Sequence, residues 1–231
     1  MIIPNLTIHM MVKNEERYIR QTLESVLPYV DEAVITDTGS TDKTKEYISV
    51  LRDKYETTCY MSFLERPVVK DSIHWNGNHL SKELTDIRNE MFEFTGTDWV
   101  WQVDGDEIYT PSAIEDIRLA MTMLENKKYK GIQVPIKWCI SDSQYILPGP
   151  FPKTLRIFQN ANKHYGKWVG EFPNEFFYVD GVPITMHDPR CFTTSNPFMH
   201  MSIALHPERR PANGIVKDLT KDEERRLCLN I

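Results

Sequence analysis

Three carboxylates, Asp104, Asp106 and Glu107, follow directly on an apolar run, Trp99-Val100-Trp101-Gln102-Val103. Such a run predicts a buried strand, and crowding anions at its exit does nothing for stability. Clustered carboxylates repel one another and call for a cation. Hard oxygen ligands suit Mg²⁺ or Mn²⁺, and such ions usually keep open positions for the phosphate oxygens of a substrate. The chemistry this predicts is the holding of a diphosphate through a divalent ion.

The remaining sequence must supply a scaffold for that turn. At 231 residues, with 41% hydrophobic and 26% charged, the chain predicts one α/β domain over 1–231. It is expected to divide into two halves, residues 1–108 and residues 109–231 with the tail. No apolar run approaches the roughly 18 residues that span a bilayer. Met1-Ile2-Ile3-Pro4-Asn5 carries no basic segment ahead of an apolar one, so a cytoplasmic location is expected. Cys59, Cys139, Cys191 and Cys228 are scattered without a CxxC pair, which excludes a typical zinc ribbon and suggests no disulfide framework. A net charge of −6 argues against a nucleic-acid surface. The mixed-charge tail from Glu208 to Arg226 reads as a solvated helix.

Leu6 to Val12 reads as a buried strand, after which Asn14 is placed to cap a helix with Glu15 and Glu16 near its positive end. Tyr18/Ile19, Thr22/Leu23 and Val26/Leu27 recur at helical spacing until Pro28. A second strand, Glu32 to Thr36, enters Asp37-Thr38-Gly39-Ser40-Thr41-Asp42 and a helix bearing Tyr47, Ile48, Leu51 and Tyr55. Thr58 to Leu64 reads as a third strand, Ser72 to Asn78 as a loop, and Leu84, Ile87, Met91 and Phe92 as the buried stripe of a third helix. Past the acidic turn, Thr110-Pro111-Ser112 reads as a helix start with a Ser112/Glu115 capping box. This alternation predicts a mostly parallel sheet with helices on both faces. Ligands in such sheets bind beyond the carboxyl ends of the strands. Asn14, Asp37 and Asp104 should therefore converge on one crevice. The second half reads as a smaller, antiparallel portion: strands over Gly131 to Ile140 and Thr154 to Gln159, and a hairpin turning at Asp180-Gly181.

Taken together, Val12-Lys13-Asn14-Glu15-Glu16, Thr36-Asp37-Thr38-Gly39-Ser40-Thr41-Asp42, Arg88-Asn89 and Asp104 to Glu107 resemble the family 2 glycosyltransferases, inverting enzymes of the GT-A fold. Within that family the pattern is similar to small bacterial and phage enzymes related to lipopolysaccharide-core glucosyltransferases, which carry Asp-x-Asp-Glu and a later Arg-x-Phe strand, here Arg156-Ile157-Phe158. The resemblance implies that Asp37 and Asn14 contact the nucleotide base or ribose and that Arg88 lies near the nucleotide. It implies that Asp104 faces the ribose or a Mn²⁺ or Mg²⁺ ion, with Asp106 as the principal metal ligand. Glu107 joins the metal shell or orients a ligand. Relatives often show a His-Glu pair after the Arg-x-Phe strand. This chain has Gly170-Glu171 and Asn174-Glu175 instead, so Glu171 and Glu175 are the two candidate general bases. A histidine often completes the metal site in GT-A enzymes. His187 is the first choice, ahead of His200 and His206, while His9 on the first strand reads as buried.

The expected reaction is displacement at an anomeric carbon of a nucleoside diphosphate sugar, UDP-sugar by default, by an acceptor hydroxyl. A saccharide or lipopolysaccharide-type glycan is the first-choice acceptor, and a modified base of phage DNA the second. A nucleotidyltransferase would open with a Gly-rich loop after the first strand, which Met11-Val12-Lys13-Asn14-Glu15 lacks. A non-catalytic carbohydrate-binding protein on a retired transferase fold would show no metal-dependent nucleotide binding.

Overall fold

The computed structural model describes residues 3, 5–68, 82–125, 129–147, 153–160, 167–169, 176–185, 188–205 and 215–227. Its centre is β1 (Leu6–Val12), flanked in parallel by β2 (Glu32–Asp37) on one side and β4 (Trp99–Gln102) on the other. Flanked on both edges, β1 shows the near-continuous burial of a parallel-sheet strand. β3 (Tyr60–Glu65) extends the parallel set as its outer edge. The side chains of β1 alternate between two layers. Ile8, Met10 and Val12 join the main core with Ile19 and Leu23 of α1 (Ile19–Val26), Ile48 and Leu51 of α2 (Thr44–Tyr55), and Ile117 and Met121 of α4 (Pro111–Glu125). On the opposite face Met11 meets Leu84 and Ile87 of α3 (Lys82–Glu90), and the His9 ring lies 5.0 Å from that of Phe92.

Beyond β4 the sheet turns antiparallel. The short strand β5 (Glu107–Ile108) follows the acidic turn. β6 (Gly131–Cys139) pairs with β7 (Gln144–Leu147), and β8 (Lys153–Gln159) lies between β4 and β6. A separate three-stranded sheet holds β9 (Lys167–Val169), β10 (Phe176–Val179) and β11 (Val182–Pro183). Asp180 and Gly181, at φ of 54° and 76°, make the expected tight hairpin turn between β10 and β11. β12 (Cys191–Thr193) and β13 (Phe198–His200) both run parallel to β6. β13 also pairs antiparallel with β5, setting His200 opposite Glu107. A mostly parallel sheet with helices on both faces and an antiparallel extension is what the sequence predicts.

Three local expectations are corrected. Asn14 caps no helix: α1 begins only at Ile19, and Asn14 sits in a left-handed turn at φ of 57°. Its side-chain oxygen instead accepts from the Thr41 amide at 2.8 Å, tying together the loops after β1 and β2. Thr110, not Ser112, caps α4 by accepting from the Ala113 amide at 3.2 Å, while Glu115 is spent on Arg118. The tail is more than a solvated helix. β14 (Ile215–Asp218) pairs with β7, and α6 (Lys221–Leu227) follows the short helix α5 (Ser202–Leu205) and β14.

Glu223 of α6 reaches back to β6. One oxygen lies 2.5 Å from Lys137 Nζ, and the other accepts from the Thr220 amide at 2.9 Å, completing a capping box. Both charged side chains are only 11% exposed. Removing one member strands a buried charge, so Glu223→Ala is expected to cost about 3–5 kcal/mol in urea unfolding. Replacing both partners by apolar residues should cost much less. Equal losses in the two variants would contradict this account.

Candidate active site

The parallel order β2–β1–β4 lines up the carboxyl ends from which the acidic and polar residues emerge. Asp37 closes β2 and is 1% exposed. Its Oδ1 accepts from the amides of Gly39 and Ser40, both at 2.9 Å, while its buried Oδ2 finds no hydrogen-bond partner among the described residues. The Asp37 carboxylate thus shapes its own turn and still holds one acceptor in reserve.

The turn after β4 is built around Gly105. A side chain there would meet Cγ of Glu15 at 2.7 Å, so glycine is required for Glu15 to lie against the turn. Thr22 of α1 donates to the Gly105 carbonyl at 2.9 Å. Asp104 accepts from Arg156 Nη2 of β8 at 3.2 Å. The same nitrogen contacts Glu107 Oε1, a buried ion pair. Asp106 Oδ1 lies 3.4 Å from Nε2 of His200 on β13, whose buried Nδ1 finds no partner among the described residues. Ligand atoms of Asp104, Glu107 and His200 all lie within 4.8 Å of one another.

The electrostatics follow from this crowding. Burial raises the Glu15 carboxyl, and the charges of Asp106 and Asp104 raise it further. Burial likewise pushes Glu107 up, to about 8, against the opposing pull of Arg156. For Asp104 burial also pulls upward, but Arg156, Arg88 and His200 outweigh it and the carboxyl is held low. Burial would lower His200, yet Asp106, with Glu107 and Asp104 behind it, lifts the imidazole to about 9.

His200 therefore gives the metal-free protein a pH signature. Its folded value lies above the ordinary 6.5, so its stabilisation is complete below about 6.5 and is lost as the pH rises through about 9. The lost contribution is about 3 kcal/mol. Thermal melts of chelated protein should fall across that window, and His200→Gln should make the decline shallower, leaving the part that the raised Glu15 and Glu107 carboxyls contribute as they ionise. A decline as steep in the variant would remove His200 as its cause.

A small pocket opens beside Asp104, walled by Met11, Met91, Phe158 and Trp168, with His9, Arg88 and Gln102 as its other polar members. The Arg88 guanidinium lies 5.0 Å from the Trp168 ring centroid. With its amide turned, the Gln102 oxygen accepts from Arg88 Nη2 at 2.8 Å. Asn89 clasps the Trp168 backbone on both sides, donating to its carbonyl at 3.0 Å and accepting from its amide at 2.9 Å. Burial and Arg88 hold His9 at about 3, hence neutral, and it hydrogen-bonds Thr95 at 2.7 Å.

The structure thus gathers Asp104, Asp106, Glu107 and Arg88 at one end of the sheet, with Asp37 at the neighbouring strand end. Asn14 is exposed on the adjoining loop. Glu171, Glu175 and His187 lie outside the described residues, as does His206. Among the described histidines it is His200 that reaches the acidic turn. Two residues escape the sequence reading. Glu15 reads there only as a helix-end anion, although its place in Val12-Lys13-Asn14-Glu15-Glu16, just past a strand end, was a usable signal. Arg156 reads only as part of a motif, and nothing local announces that it joins Glu107.

Residues 7–66 match the family profile described as Glycosyl transferase family 2. Similar solved structures include S. aureus TarS 1-349, 14% identical over 86% of this chain and 60% of that one, with a TM-score of 0.50. Another is the mannosyltransferase PcManGT from Pyrobaculum calidifontis in complex with GDP-Man and Mn²⁺. It is 14% identical over 85% of this chain and 56% of that one, with a TM-score of 0.52. The chain thus spans about 60% or less of the length of these proteins. No curated protein matches it by sequence.

Proposed function

We propose that this chain, whose residues 7–66 match the profile of glycosyl transferase family 2, is an inverting glycosyltransferase that uses a nucleoside diphosphate sugar and a divalent metal. The observation that carries the proposal is the meeting of Asp104, Asp106 and His200 at the carboxyl end of the parallel sheet. The donor set fits Mn²⁺ or Mg²⁺. It offers carboxylate oxygens and an imidazole whose buried Nδ1 is otherwise unused. Asp106, Asp104 and His200 would hold the ion, which when bound supplies charge neutralisation for the departing diphosphate. PcManGT, of the same fold, is described with GDP-Man and Mn²⁺, and TarS with UDP.

The chain's own residues divide the remaining work. Asp37 keeps a buried acceptor for a ribose hydroxyl or base N–H, and Arg88 offers a guanidinium beside Asp104 for a phosphate or base carbonyl. The acceptor hydroxyl oxygen bonds to the anomeric carbon as the bond from that carbon to the diphosphate oxygen breaks. The hydroxyl proton passes to Glu171 or Glu175, and the configuration inverts. UDP is the default nucleotide, and a saccharide or lipopolysaccharide-type glycan the acceptor. Residues 1–108 serve the donor and 109–231 the acceptor. Among the described residues no helix is long and apolar enough to cross a membrane.

A thermal-shift screen of nucleotide sugars with Mn²⁺ tests this reading. A matching donor at 100 times its Kd adds about 2.7 kcal/mol of apparent stability. The shift should vanish with chelator. A protein that no nucleotide or nucleotide sugar stabilises in Mn²⁺ would overturn the proposal.

A further inference from the structure

We infer that Glu107 and Arg156 are positioning residues, a buried strut that fixes the Asp104 turn and the strand carrying His200, and that Glu107 is not a metal ligand. The inference deepens the metal-site reading above and rests on it only for its ion-binding arm.

Glu107 shares its neighbourhood with Asp104 and His200, and by proximity alone it would count as a ligand. Its hydrogen bonds argue otherwise. The side chain is 0% exposed. Oε1 is taken by the Arg156 guanidinium. Oε2 accepts from the Tyr109 hydroxyl at 3.2 Å and from the Asp104 amide at 3.3 Å. Among the described residues, each hydrogen bond this carboxylate accepts comes from a donor of the protein itself, and both of its oxygens are engaged, which leaves it little capacity for an ion. Asp104 differs: its side chain is 38% exposed, and only its Oδ2 is held by Arg156.

Arg156 links the parts that must keep their places. Its one nitrogen reaches both Asp104 and Glu107, and its guanidinium carbon lies 5.2 Å from the centroid of the Phe198 ring at the start of β13. Two residues further along β13, His200 pairs in register with Glu107. The strut therefore sets the Asp104 carboxylate, the Asp104 amide and the His200 strand at once. It also supplies a fixed positive charge beside the crowded carboxyls of the turn. Partners of this kind, which orient ligands without binding the metal, commonly carry 10–100-fold of metal affinity.

The test reads Mn²⁺ alone, titrated by the loss of its free-ion paramagnetic resonance signal, and amide hydrogen exchange at Asp104 in metal-free protein. Arg156→Met removes the strut's cation. The pair Glu107→Gln with Arg156→Met leaves no uncompensated buried charge, so it keeps the question answerable if the single variant unfolds. Arg156→Lys serves as the conservative rescue. Both disrupted proteins should bind Mn²⁺ about 10–100-fold more weakly. They should exchange the Asp104 amide about tenfold faster, and Arg156→Lys should recover part of each. If Glu107 is instead a ligand masked by Arg156, removing the cation frees it, and Arg156→Met binds Mn²⁺ more tightly. That sign, or unchanged Asp104 exchange in the paired variant, overturns the inference. Wild-type protein that ignores Mn²⁺ would defeat the metal site proposed above, while Asp104 exchange would still decide the strut.

Discussion

Asp106→Ala should eliminate metal-dependent transfer, with kcat/KM falling by about 10³-fold or more, equivalent to roughly 4 kcal/mol of lost transition-state stabilisation. The size of the effect follows from where Asp106 stands. It is 7% exposed and holds His200, and its charge is among those that push Glu15 upward. Removing it would delete one of the proposed ligands and release the imidazole proposed as another. His200→Ala removes only the second of these and should cost less, about 10–100-fold in Mn²⁺ affinity. Circular dichroism should show both variants folded, because neither side chain belongs to the main hydrophobic core. Turnover of Asp106→Ala at the wild-type rate, retained after chelation, would contradict a metal role for this turn.

How much of this site can be read from the chain depends on the range of the interactions that build it. β1 and β2 announce themselves because a strand flanked on both sides must be apolar almost throughout, as Leu6–Val12 is. The acidic turn is legible because charge directly after such a run needs a reason. Helix starts are less secure. Asn14 and Ser112 both have the chemistry of a cap, but Asn14 finds a better partner in Thr41 across a neighbouring loop, and Thr110 stands closer to the first free amides of its helix. The contacts that complete the site are distant in sequence. Arg156 meets Glu107 only because β8 lies beside β4, and His200 meets Asp106 only because β13 pairs with β5. No periodicity within either segment encodes those pairings. The same limit applies to the tail, where Glu223 looks like a solvated charge until Lys137 of β6 is placed beneath it.

Separate conversion of Glu171 and Glu175 to Gln should identify the general base, with one variant losing about 10²–10⁴-fold in kcat and the other remaining near wild type. β9 and β10 are antiparallel neighbours, with Val169 paired to Phe176. That sheet is fastened to the donor side through Asn89, which holds the Trp168 backbone, and through Arg88, whose guanidinium lies against the Trp168 ring. Because Gln keeps the shape of Glu but cannot take the proton, the damaged variant should retain donor affinity in Mn²⁺ while transfer slows. This split between binding and kcat separates a base from a residue that merely supports the sheet. Asn89→Ala supplies the contrast: it should loosen the β9 anchor and raise the acceptor KM without abolishing transfer. Near-wild-type rates in both Gln variants would remove these two glutamates from the mechanism and send the search for a base elsewhere in residues 109–231.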